Sequence, residues 1–230
     1  RSYRNSDRCA LAAPAYEAFF LEHPEHLATA DARRERAACL SELGQYVPAA
    51  RAYEQVQRRF SASDFAAQAL INAAANYTYG QDIQRAVDIY QRVLDDYATT
   101  TAAHQARYQL ARLLFASGQA DGAQRLLVQI STTQPSPTLA SSALLLNGRI
   151  DLFLGNRDGA EKKFAELHKR FTRSAQADSA YLDYALHLYE QRLFSQAGDA
   201  FDRAHKKVQD AQLKGRTLLG LADARRQSHQ

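Results

Sequence analysis

Glycines at Gly44, Gly80, Gly118 and Gly155 recur at intervals of 36, 38 and 37 residues, in SELGQY, YTYGQD, FASGQA and LFLGNR. Each follows one apolar helical stretch and precedes another. A chain that repeats itself at this period folds as a stack of like units, because a single unit has only its neighbours to bury its apolar face against. The glycines read as helix–turn–helix corners, where a residue without Cβ relieves the strain of a tight turn. A fifth corner, in EQRLF, puts Arg192 another 37 residues on.

The stretches flanking the corners keep the same phase. Five residues beyond a corner stand Ala49, Ala123, Ala160 and Ala197; the second repeat reaches Ala86 one residue late, so its turn carries an insertion. Four further on are Tyr53, Tyr90, Leu127, Phe164 and Phe201, and three beyond those Val56, Val93, Ile130, Leu167 and Ala204. Offsets of four and three share one helix face, so these positions define the second helix of each hairpin. Seven residues before the corners lie Ala37, Ala73, Ala111, Gly148 and Ala185, preceded three places earlier by Arg34, Leu70, Tyr108, Leu145 and Leu182. A small residue at the nearest approach of two helices is a steric requirement, since a bulkier one costs about 1–3 kcal/mol by overpacking. With only 5 prolines and 10 glycines to interrupt good helix formers, the reading is all-α.

The order of small residue, corner glycine, alanine and aromatic resembles the tetratricopeptide repeat, here at 36–38 residues. Leu110–Ala111, Gly118, Ala123 and Pro135 carry the likeness in one repeat, and Ala37, Gly44, Tyr46, Ala49 and Tyr53 in another. The sequence departs from that family where its large aromatic would stand early in the first helix: Arg33, Ala69, Arg107 and Leu144 replace it, and Tyr181 keeps it. Closing prolines give way to Ser61, Ala98 and Thr172. The resemblance implies a right-handed α-solenoid of antiparallel helix pairs, about twelve helices, with first helices lining a concave side. Its phase divides the chain into a half repeat over 1–27, repeats over 28–62, 63–99, 100–136, 137–173 and 174–210, and a half repeat or capping helix over 211–230. In the leading half repeat Ala12, Tyr16, Phe19 and Pro24 match the second-helix spacing, with Pro14 expected to shorten that helix. In the trailing one Leu218, Leu221 and Ala222 match the first-helix spacing.

Repeat phase also nominates a binding groove for a protein or peptide partner. One residue beyond the small position come Arg112 and Arg149, and four beyond come Tyr77, Phe115, Leu152 and Tyr189; Tyr108 lies beside them. Tyr and Arg are enriched where binding energy concentrates. The other reading, that Phe115 and Leu152 fill inter-repeat core and the arginines are solvated, stays open. Some relatives clamp a partner's terminal carboxylate with Lys and Asn; Asp31, Ala67, Gln105, Ser142 and Ser179 stand at the corresponding places, so that clamp is absent. The stretches RRFSASDFAAQAL, DDYATTTAAHQARYQL and KRFTRSAQADSAYLDYAL look like a bacterial envelope branch of the family, which includes outer-membrane-protein assembly lipoproteins and Tol–Pal-associated cell-division coordinators. That likeness implies a periplasmic or envelope location and a membrane-associated complex.

Chemistry is harder to find. The sequence holds no phosphate-cradling Gly-rich loop, zinc-protease helix signature or nucleophile elbow. His23 and His26, with Glu22 and Glu25, form the one close histidine pair, and the proline between them argues against a metal site. Asp183 and His187, a turn apart, read as a surface pair. No catalytic residue, metal ligand or cofactor is assigned. A net charge of +4, spread over scattered basic clusters, does not make the one-sided stripe of a nucleic-acid binder, and no apolar run is long enough to span a membrane. Cys9 and Cys39 fit no metal spacing; they are either buried thiols or a disulfide between neighbouring helices, which would require an oxidising compartment. The chain begins at Arg1 and lacks methionine, as a processed form or an excised segment would. The function expected is a non-enzymatic interaction scaffold; the alternative is the repeat segment of a larger enzyme or export machine, positioning a domain elsewhere.

Overall fold

A computed structural model of the chain describes residues 2–24, 26, 28–132 and 135–228. These residues form twelve helices and no strand: α1 (Ser2–Glu22), α2 (Thr29–Glu42), α3 (Tyr46–Arg59), α4 (Ala66–Tyr79), α5 (Ile83–Asp96), α6 (Thr101–Ala116), α7 (Ala120–Thr132), α8 (Pro137–Phe153), α9 (Arg157–Arg170), α10 (Ala175–Glu190), α11 (Phe194–Lys207) and α12 (Ala211–Ser228). The fold class is an all-α, tetratricopeptide-like solenoid. The chain divides into two units, Arg1–Leu113 and Leu114–Gln230, each considered by itself.

In the first unit α1 packs on α2, α2 on α3, α3 on α4 and α4 on α5. The small first-helix residues Ala37 and Ala73 are fully buried, as are Ala49 and Ala86 of the second helices, with Tyr53, Val56, Tyr90 and Val93 beside them. A disulfide joins Cys9 of α1 to Cys39 of α2, inside a small apolar cluster with Ala13. The leading half repeat differs from its expected register. Pro14 sits inside a continuous 21-residue α1, and the buried face carries Cys9, Ala13 and Phe20, whereas Ala12, Tyr16 and Phe19 are only half-buried. Packing of that face on α2, together with the disulfide, holds the helix through the bond that proline cannot donate.

The corners are where glycine's role divides. Gly44 has φ +74°, a left-handed conformation that lets the Gly44 and Gln45 N–H groups donate back to Ser41 and Leu40. Gly80 does not adopt it. The left-handed residue in that turn is Gln81, at φ 61°; with it as the corner, positions 44, 81, 118, 155 and 192 are each 37 residues apart and Ala86 lies five beyond its corner like its counterparts, so the turn carries no insertion. Gly80 instead lies so close to α3 that a Cβ there would stand 2.9 Å from Val47 Cγ2.

In the second unit α7 packs on α8, α8 on α9, α10 on α8, α9 and α11, and α12 on α10 and α11. Gly118 and Gly155 take left-handed φ values of +80° and +76°, and Arg192 does the same at 59° without being glycine. Gly148 is the tightest contact: a Cβ there would come within 2.2 Å of the Phe164 ring. Asn156 and Ser174 accept from the backbone N–H groups of Gly159 and Ala177, capping α9 and α10. The buried Asp151 carboxylate pairs with Lys163 and accepts from Gln124 (2.8 Å) and Asn156 (3.2 Å), which ties α7, α8 and α9 together. Before α12, Asp178 accepts from the N–H groups of Gln209 and Asp210, both at 3.0 Å. α12 then buries Thr217, Leu221 and Ala224 and leaves Leu218, Leu219 and Ala222 exposed, so Ala222 does not occupy the packing position its spacing promised. That role falls to Gly220, whose added Cβ would meet the Phe201 ring at 2.4 Å.

Candidate protein-binding surface

Of the residues nominated for the groove, Tyr77, Tyr108 and Arg112 belong to the first unit and Phe115, Arg149, Leu152 and Tyr189 to the second. Two offer no surface. Tyr77 is buried, its hydroxyl donating to Glu54 at 2.5 Å, and burial followed by that carboxylate pushes its pKa up. Leu152 is buried in a cluster with Leu144, Leu145, Ala160 and Phe164. Both side chains face packed interior, which corrects their assignment to the groove, whereas Phe115 and Tyr189 at the same offset from the small residue are only half-buried.

The other five reach the surface to different degrees. Arg112 is exposed, with its Nη1 donating to Gln109 at 3.0 Å along the same helix. Arg149 is exposed and pairs with Asp183, Nε to Oδ2 at 2.7 Å, bridging the first helices α8 and α10. Asp183 is therefore held by Arg149 and not by the His187 a turn away. Half-buried Phe115 meets Phe153 edge to face, ring centroids 5.4 Å apart, and Phe153 is 68% exposed. That leaves part of the Phe153 ring in water. Tyr189 is half-buried against Phe194, and Tyr108 is half-buried.

The sequence reading missed a cleft in the second unit, between the second helices α9 and α11 and floored by α10. Its volume is about 290 Å³, and Phe164, Tyr181, Tyr184, His168, Glu161 and Arg203 line it. His168 stacks on Tyr181 with centroids 3.5 Å apart and planes 16° from parallel, and its Nε2 lies 2.8 Å from the Ala177 carbonyl. Burial lowers the His168 pKa, which keeps the ring neutral at pH 7. The Tyr184 hydroxyl donates to Glu161; burial, then that hydrogen bond, raise its pKa to about 12. The available signal was Tyr181, the one place where this chain keeps the repeat family's early aromatic, with Tyr184 three residues on.

His23 and His26 gather around the Phe19 ring, at centroid distances of 5.5 and 5.4 Å, while Glu25 lies outside the described residues. Among the described residues no three His, Cys, Asp or Glu side chains converge in a way that could hold a metal ion, and no helix is long and apolar enough to cross a membrane.

Comparison with known proteins accords with this geometry. A tetratricopeptide repeat protein from Parabacteroides merdae superposes over 98% of this chain and 90% of its own, with a TM-score of 0.66 at 16% identity. YrrB, described as a TPR protein with an unusual peptide-binding site, superposes over 88% of this chain and 96% of its own, with a TM-score of 0.58 at 19% identity. PilF of Pseudomonas aeruginosa covers 87% of this chain and 86% of its own, with a TM-score of 0.60 at 17% identity. At these identities the likeness establishes the fold. No curated protein sequence matches the chain. The model of the tetratricopeptide repeat-like domain, however, matches residues 32–164, more than half of the sequence, and the protein belongs to that family.

Proposed function

We propose that the protein is a non-enzymatic scaffold whose first-helix faces hold a peptide or helix of a protein partner, within a complex of the bacterial envelope. The observation that carries this reading is the pairing of exposed cations with exposed ring surface on first helices: Arg149 in α8, and the Phe115–Phe153 pair between α6 and α8. Arg112 adds an exposed guanidinium on α6 in the first unit. With Tyr77 and Leu152 buried, the residues proposed for contact are Tyr108 and Arg112 in the first unit and, separately, Phe115, Arg149 and Tyr189, joined by Phe153, in the second. YrrB, with its peptide-binding site, supports the class of ligand. The Cys9–Cys39 disulfide supports an oxidising location such as the periplasm, because such bonds persist there and are reduced in the cytosol.

Affinity capture from the native host, followed by mass spectrometry, identifies the partner, and the variant Arg112→Glu/Arg149→Glu then tests the surface. Both side chains are exposed, so helicity should be unchanged and melting should fall only slightly, through loss of the Arg149–Asp183 pair, while affinity for the identified partner falls about tenfold or more. Unchanged affinity in a folded double variant would remove these first-helix faces from the binding account.

A further inference from the structure

The fold makes the same cleft more than once. A second cavity, of about 300 Å³, lies between α7 and α9 over α8, and its lining is displaced by 37 residues from that between α9 and α11. Leu127, Leu144, Asn147 and Glu166 in the one correspond to Phe164, Tyr181, Tyr184 and Arg203 in the other. A cleft at this place is therefore a consequence of stacking the repeats, and volume alone says nothing about a ligand. The difference between the two linings does. The α7–α9 cleft is aliphatic, and its charges are internally matched: Glu166 pairs with Arg170, and Lys163 with Asp151. The α9–α11 cleft is aromatic, and the two charges in its lining, Glu161 and Arg203, do not form an ion pair with each other. Glu161 is occupied by the Tyr184 hydroxyl and Asp178 by the backbone before α12. Arg157 and Arg203 act on Tyr184, and Lys207 acts on His168. None of these three cations has an ion-pair partner among the described residues.

We propose that the α9–α11 cleft is a second docking site, on the second-helix side, for a protein segment that places an aromatic side chain beside an acidic one. The ring enters among Phe164, Tyr181 and Tyr184, where an edge or offset face meets the existing His168–Tyr181 stack. The neighbouring carboxylate meets Arg203, the cation at the rim. A volume of about 290 Å³ is at the low end for ligand pockets, which suits one large side chain and not a folded domain or a nucleotide. A neutral His168, with Nε2–H committed to the Ala177 carbonyl, keeps the stack from repelling Arg203. This site uses none of the residues assigned to the first-helix faces, so either can fail alone.

The test is a backbone-amide NMR titration with two capped tetrapeptides, acetyl-Ala-Phe-Asp-Ala-amide and acetyl-Ala-Phe-Lys-Ala-amide. Shifts should map to α9, α10 and α11 and spare the α7–α9 cleft, and the Asp peptide should bind about fivefold more tightly. Arg203→Glu, an exposed substitution whose folding is checked by circular dichroism, should invert that preference. Tyr181→Leu, which copies Leu144 of the sister cleft, should weaken both peptides while leaving the preference intact. Equal affinity for the two peptides, shifts centred elsewhere, or a preference untouched by Arg203→Glu would each overturn the proposal.

Discussion

In the α4–α5 hairpin the left-handed corner residue is Gln81, and Gly80 lies against Val47 of α3; in the α8–α9 hairpin Gly155 itself turns left-handed, and the closest approach falls on Gly148 beneath Phe164. Both hairpins carry the same two demands, a backbone reversal and a place where helices nearly touch. The α4–α5 corner spends its glycine on the contact and accepts a left-handed glutamine. The α8–α9 hairpin has glycine at both places. A glycine recurring at a fixed period therefore does not identify one physical job, because absence of Cβ answers both a torsional and a steric need.

The largest test of this difference is Gly148→Ala. Its Cβ would stand 2.2 Å from Phe164, and overpacking should outweigh the gain in helix propensity, for a net loss of about 1–2 kcal/mol in urea unfolding followed by circular dichroism. Substitutions at the two corners should be smaller, and opposite in sign to each other. Gly155→Ala meets no neighbour and should cost about 1 kcal/mol from backbone strain alone, whereas Gln81→Gly should raise stability by about 0.5 kcal/mol. If Gln81→Gly destabilises, the left-handed turn at that corner is misassigned and the two hairpins are alike.

What the sequence revealed follows the same division. The small and large positions of the hairpins were legible because tight helix contact admits few side chains: Ala37, Ala73, Ala111 and Ala185, with Ala49, Ala86, Ala123, Ala160 and Ala197, are all fully buried. Periodicity fixes which residues share a face but not how far a helix is rotated against its next neighbour. For that reason Tyr77 and Leu152 turned out to be buried, and the stripes of α1 and α12 slid from their expected registers, with Phe20 and Gly220 at the contacts in place of Phe19 and Ala222. The α9–α11 cleft was hidden for a different reason. It is assembled from three helices, and each of its residues has an ordinary core or surface reading in isolation: Tyr181 as a packing aromatic, Arg203 as one of many solvated arginines. The early aromatic position shows how one site can be filled in unlike ways. Tyr181 stacks on His168, while Arg33 lays its guanidinium 4.1 Å over Phe20, in each case thirteen residues apart along the chain.

The central claim is that side-chain size at the nearest approach sets how closely the helices of a hairpin pack. A double-mutant cycle between Gly148 and Phe164 tests it most directly, using Phe164→Leu because Leu127 stands at the corresponding place one repeat earlier. Gly148→Ala and Phe164→Leu should each destabilise alone, and the pair should recover at least about 1 kcal/mol relative to their sum, since the leucine leaves room for the added methyl. Strictly additive losses would mean that the two side chains do not meet as described, and that something other than steric fit at this position holds α8 and α9 together.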